Sequence, residues 1–298
     1  MKLLKGLLTV ILVLALSAGI LFLLWKFVVP DEIVADLNDA IGTMKDSGIT
    51  GEEYTFDTEF YPYYDSLSVD GQKLYAQVYA NALAKEKTFR PVVDITCEEV
   101  ENVVKLVYYD HPELHWMDSG YSYRYDTNKI CIQITLKFNE SVGEKECAAF
   151  QARANEIIEG AKAYDYVHER ERYVYLSIIN STEYDANASI HQSPYSALVN
   201  GKSVCAGYAR AFQYVMIELG IPTYYCAGIE EGHAWNIVKM SEGYYNVDLT
   251  WADKGGTEED LDKYLNRSDN SLGYSHRRSG YSVLLPKCKA KKHLSKYD

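Results

Sequence analysis

The stretch Asn200-Gly201-Lys202-Ser203-Val204-Cys205-Ala206-Gly207-Tyr208-Ala209-Arg210-Ala211-Phe212 fixes the architecture around it. An Asn-Gly turn leads, within a few residues, into a cysteine and then a helical pattern. From Ala206 to Leu219 the apolar residues Ala209, Phe212, Val215, Met216 and Leu219 recur at spacings of three and four, the period of a helix with one buried face. Gly220 and Pro222 end that pattern, as a glycine after a helix and a following proline do. Cys205 is thus expected at a helix N-terminus. Free backbone N–H groups and the helix dipole favour an anion there, so the thiol should ionise more readily than a free cysteine. The thiolate is the nucleophilic form. A small buried apolar cysteine that begins a helix would show the same local pattern.

Two downstream segments favour the nucleophile. Gly232-His233-Ala234-Trp235-Asn236-Ile237-Val238 reads as a strand with a histidine at its start, and Tyr244-Tyr245-Asn246-Val247-Asp248-Leu249-Thr250-Trp251 as the next strand. Met240-Ser241-Glu242-Gly243 makes a four-residue hairpin loop between them. This register sets Lys239 opposite Tyr244 and His233 opposite Thr250, and side chains alternate with period 2. Asp248 then shares a sheet face with His233, one diagonal step away. A carboxylate there holds the imidazole in one tautomer and leaves the other ring nitrogen for a thiol. A slip of one residue would send Asp248 to the opposite face.

The blocks Val204-Cys205-Ala206-Gly207-Tyr208-Ala209, Leu219-Gly220-Ile221-Pro222, Gly232-His233-Ala234-Trp235 and Tyr245-Asn246-Val247-Asp248-Leu249-Thr250-Trp251, in this order, resemble the transglutaminase-like superfamily of papain-related thiol enzymes. The resemblance covers the second half of the chain. It implies an α+β fold with a papain-like core, in which the helix bearing the cysteine packs on an antiparallel sheet bearing histidine and aspartate. It also implies Cys205 as nucleophile, His233 as general base and acid, and Asp248 as orienting carboxylate. No metal or other cofactor is expected. Papain-like enzymes place an oxyanion-binding glutamine before the nucleophile, and Gln192 is the only glutamine in the approach to Cys205. An exposed loop glutamine is the competing reading. Trp235 and Trp251 flank the triad in sequence and are expected to shield it, although buried core tryptophans would look the same.

The chain begins with two lysines in Met1–Lys5, followed by an uncharged, mostly apolar run from Gly6 to Trp25. About 20 such residues span a bilayer's hydrocarbon core. Residues 1–30 are therefore expected to be an uncleaved anchor, with the lysines on the cytoplasmic side and the rest outside. A signal peptide cut near Ala15-Leu16-Ser17 is the rival, but it would leave Ile20–Trp25 as an apolar tail. A net charge of −12 and a pI of about 5.1 argue against a nucleic-acid partner. A protein or peptide substrate is the expected partner, with the cell envelope as one source.

Removing Cys205 from six cysteines leaves an odd number, and none form a Cys-x-x-Cys pair. Neither a full disulfide framework nor a zinc knuckle is indicated. His168-Glu169-Arg170-Glu171 lacks the second histidine of a zinc-protease motif and reads as a solvated helix face. Residues 31–140 read as a mixed accessory region. It has helical patterns at Ile33–Met44, from Ser68 to Ala84 and after the capping box Thr96-Cys97-Glu98-Glu99, then strands at Tyr121–Tyr125 and Ile130–Leu136. A helix from Glu144 to about Asn180 opens a catalytic domain at 141–298, and Tyr281–Pro286 reads as a last strand. Two functions remain at this point. One is an extracytoplasmic thiol enzyme that cleaves or transfers the acyl groups of amides, with the peptidase or amidase reading slightly ahead of the transamidase one. The other is a non-catalytic envelope binding module on the same fold.

Overall fold

Side-chain caps start the two long helices of the first half. Pro62–Asp65 forms a single turn, α1. Ser68 accepts a hydrogen bond from Gly71 N and starts α2, Val69–Leu83. After the two-residue strand β1, Thr88–Phe89, the Thr96–Glu99 capping box starts α3, Cys97–Asp110. Strands β2, Met117–Tyr125, and β3, Cys131–Phe138, pair antiparallel, and β1 adds to the far side of β3. A turn at 126–129 joins them, with Lys129 N donating to Asp126 O.

The computed structural model describes residues 48–229, 232–255, 257–289 and 291. The expected anchor within residues 1–30 and the helical pattern Ile33–Met44 lie outside them. Among the described residues no helix is long and apolar enough to cross a membrane. Ile49–Asp298 is one compact unit.

The second half departs from the sequence expectation at four places. The long helix from Glu144 is two helices, α4 at Glu144–Ala161 and α5 at Val167–Ile179. The break lets α5 fold back, so that Val174 and Ile178 share a core with Ile157 and Phe150. Glu171 on α5 is buried rather than solvated: its carboxylate accepts from Asn266 Nδ2 at 2.8 Å, and burial pushes its pKa up to about 8. The strand expected to run through Asp248 to Trp251 ends at Val247, for a reason given below. The expected strand Tyr281–Pro286 is instead a 3-10 turn, Gly280–Leu284. There Ser282 Oγ accepts from Ala227 N at 2.9 Å, so a side chain closes the sheet edge in place of a strand.

Between α5 and the cysteine, β4 (Glu183–Tyr184) pairs parallel with β5 (Lys202–Ser203). Gly201 takes the left-handed conformation, φ 68°, that the Asn-Gly turn requires. Helix α6 then runs Cys205–Glu218. Strands β6 (Thr223–Ala227), β7 (Ala234–Met240) and β8 (Gly243–Val247) form an antiparallel sheet in that order.

This sheet is covered on both faces. Val238, Met240, Tyr245 and Val247 face a core built with α4, α5 and α6. Tyr224, Cys226, Trp235 and Ile237 face a second core, built with Val103, Val107, Ile134 and Leu136 of the first half. The apolar packing therefore runs across residue 140. Buried polar residues of α6 extend the join: Arg210 Nη2 donates to His111 O at 3.1 Å and Gln213 Nε2 to Tyr109 O at 3.0 Å.

Gly207 sits where the 191–193 loop crosses the first turn of α6. A Cβ on it would lie 1.9 Å from Ser203 Oγ, 2.7 Å from His191 O and 2.9 Å from Ser193 O. Two of these are backbone atoms with nowhere to go. Gly207→Ala should therefore destabilise the protein by about 1–3 kcal/mol, the usual cost of overpacking, read as a lower urea midpoint.

Candidate active site

Cys205 is the first residue of α6, after Val204 in extended conformation at the N-cap. In this turn Gly207 N donates to Val204 O at 3.0 Å, while the N–H groups of Cys205 and Ala206 come too early to reach a carbonyl of the helix. Small residues bring the helix close to the sheet: Ala206 and Ala209 pack with Tyr225 and Ala234, and Cys205 lies half-buried against them. Asn236 of β7 stitches the two elements together, its Nδ2 donating to Ala209 O at 3.0 Å. Tyr109 of α3 closes the other side, its ring 4.6 Å from that of Tyr225.

The hairpin has the expected register, with Lys239 opposite Tyr244, but Met240 also pairs with Gly243, so the loop is the two residues Ser241 and Glu242, not four. His233 immediately precedes β7. Asp248 immediately follows β8 and does not lie within a strand, because its carboxylate starts the next helix. Asp248 Oδ1 accepts from Thr250 N at 2.9 Å and Trp251 N at 3.1 Å. These contacts turn the chain into α7, Leu249–Gly255.

His233 Nε2 lies 2.6 Å from Asp248 Oδ2. An ionised carboxylate only accepts, so this nitrogen carries the proton. The remaining nitrogen, Nδ1, is left for a thiol, and Cys205 is among the neighbours that raise the His233 pKa. Burial works against a charged imidazole at His233. The charge and hydrogen bond of Asp248, with a smaller contribution from Cys205, outweigh it and raise the pKa to about 10. Burial likewise opposes charge on Asp248, and the two neighbouring histidines reverse it, holding the carboxyl well below the ordinary range. Trp235 stacks on His233 at 5.9 Å between centroids, and Trp251 lies 5.7 Å away, so both expected tryptophans do flank the triad.

Gln192 is exposed, and its Oε1 accepts from Ser119 Oγ of β2 at 3.3 Å. Its neighbour His191 holds the loop to the nucleophile's helix, its carbonyl accepting from Val204 N at 3.1 Å and Ser203 Oγ at 2.6 Å. The loop, β2 and Tyr108 line a cleft of about 260 Å³.

One residue at the site had no signal in the sequence. His276 comes from the polar stretch after the last sheet strand, and its Nε2 lies 2.9 Å from Asp248 Oδ2, the oxygen that His233 also uses. The ligand atoms of His233, Asp248 and His276 fall within 4.8 Å of one another, a set chemically able to bind a divalent metal. Both N···O separations are hydrogen-bond lengths, shorter than the ~3.3 Å between ligand atoms of a tetrahedral zinc. The set as it stands is a hydrogen-bonded one.

Residues 151–249 match the family model described as the transglutaminase-like superfamily, a group of cysteine-dependent enzymes. The matched segment holds Cys205, His233 and Asp248 and ends before Trp251 and His276. Solved structures with similarity include a TGase, at 15% identity and TM-score 0.33, covering 44% of each chain. Another is a candidate cysteine protease from Cytophaga hutchinsonii, at 11% identity and TM-score 0.28, covering 44% of this chain and 61% of that one. This chain thus covers less than two thirds of either. No curated protein matches the sequence.

The raised pKa of His233 makes stability depend on pH with a definite sign. The charged imidazole is favoured in the folded state, so its contribution is complete below the unfolded value of about 6.5 and is lost as pH rises through about 10. The melting temperature should fall between pH 7 and 10, and the part due to this pair should vanish in Asp248→Asn. Parallel melting curves for the two proteins across that range would contradict the assignment.

Proposed function

We propose that this protein is a thiol hydrolase that cleaves amide bonds through an acyl-enzyme on Cys205, acting outside the cytoplasm while its N-terminal apolar run holds it in the membrane. The observation carrying the chemistry is the commitment of His233 Nε2 to Asp248, which leaves Nδ1 available to a thiol. The transglutaminase-like core around these three residues supports the same reading.

The thiolate of Cys205 attacks the carbonyl carbon of an amide, and the carbonyl electron pair moves onto oxygen. The backbone N–H of Cys205 and the Gln192 amide are the proposed donors to that oxyanion, and Gln192 must turn from Ser119 to serve. Collapse of the intermediate breaks the C–N bond, and the proton on His233 Nδ1 passes to the departing amine. A thioester remains. Water then attacks it while His233 takes the water's proton, and the carboxylic acid and the thiol are released. Transamidation would differ only in the second half, with an amine in place of water. The half-buried site and the acidic surface fit a peptide substrate, and the cleft between β2 and the 191–193 loop would receive one side of it.

Iodoacetamide labelling of the full chain, with Cys205 followed by peptide mass analysis, tests the triad without knowledge of the substrate. Rapid labelling at pH 6, slowed at least tenfold by His233→Ala, is expected of the imidazolium–thiolate pair. Labelling that appears only near pH 8.5 and ignores His233 would favour the non-catalytic binding module. In a peptide-hydrolysis assay Cys205→Ala should abolish turnover and keep the wild-type melting temperature.

A further inference from the structure

Asp248 is more heavily engaged than a triad needs. Oδ1 accepts two backbone N–H groups and Oδ2 accepts from two imidazoles, so about four acceptor positions of the carboxylate are filled. His276 is almost fully buried and arrives from a 3-10 turn, Gly273–His276, beyond the segment that matches the family model. Its ring is fixed from the other side as well. Nδ1 lies 2.9 Å from Ser275 Oγ, which in turn lies 2.9 Å from Leu272 O. Trp235 and Trp251 meet the ring edge-to-face, each at 4.9 Å.

We propose that His276 is a positioning residue of the active site: by donating Nε2–H to Asp248 Oδ2, it keeps that oxygen aimed at His233 and so sets the imidazole on which Cys205 depends. This inference rests on the thiol-enzyme reading above. The backbone donors reach only Oδ1, so Oδ2 is held by the two imidazoles alone. The second donor on Oδ2 fixes the direction in which that oxygen is presented to His233. It also favours the ionised carboxylate, as the downward pull of His276 on the Asp248 pKa shows. A ring of similar size without the N–H would fill the same space among the tryptophans but would do neither. The sequence separation, 28 residues, means that the contact forms only when the C-terminal segment closes over the hairpin.

The test is the pH profile of iodoacetamide labelling at Cys205 in the full chain, for wild type, His276→Phe and His276→Gln. The titratable groups facing the cluster are His233, Cys205, Tyr175 and Tyr264, and all are kept. His276→Phe should slow labelling at pH 6 by about tenfold, the effect of losing one hydrogen bond to a charged group, and should move the acid limb to higher pH. His276→Gln, whose amide nitrogen overlies Nε2, should stay near wild type in both respects. If His276→Phe does not fold at the assay temperature, His276→Leu takes its place. A wild-type rate and profile in the apolar variant would overturn the proposal, as would equal losses in the apolar and Gln variants. If wild-type Cys205 itself labels as an ordinary thiol, unaffected by His233→Ala, the thiol-enzyme reading fails, and this inference with it.

Discussion

The site depends on how closely one helix can approach one sheet. Cys205 and His233 lie on different elements, and the distance between those elements is set by what packs between them. Ala206 and Ala209 face Ala234 across the contact, and the bond from Asn236 to the Ala209 carbonyl holds the helix at that height. Larger side chains at these alanines would lift the helix and carry the thiol away from Nδ1. Gly207 answers the same need on the loop side, where a backbone carbonyl occupies the space of a side chain. The electrostatics follow from this packing. A buried imidazole next to a buried carboxylate is costly unless each neutralises the other at short range, and the 2.6 Å contact provides that range.

Buried acids elsewhere show the contrast. Glu171 is as thoroughly buried as Asp248, but its partner is the neutral amide of Asn266, and its pKa rises. Asp248 faces two imidazoles and two backbone donors, and its pKa falls. Burial is common to both, and the charge of the partners decides the sign.

The features legible in the sequence were local ones. The helix after Cys205 showed its period and its stop, and the hairpin showed its register, because each is encoded within a dozen neighbouring residues. Asp248 was read correctly for its face but not for its backbone. Alternation from Tyr244 to Trp251 looks like a strand until the side chain of Asp248 captures the next two N–H groups and turns the chain. The solvated face assigned to Glu171 failed because its cover, Asn266, lies 95 residues away. His276 was missed for the same reason. A lone histidine in a polar stretch carries no spacing that relates it to an aspartate on another element, and only tertiary structure brings them together.

The doubly covered sheet has a consequence for how the chain is made. Val103, Val107, Ile134 and Leu136 emerge from the ribosome well before Tyr224, Trp235 and Ile237, the residues that cover them. Over that interval of synthesis the first half presents an apolar face with no cover, while β1, only two residues long, is a weak guard on one edge of its sheet. Such surface is where nascent chains associate with one another. Cys205, His233 and Asp248 are synthesised close together with the missing cover, so these three residues come together only as the first half is sealed.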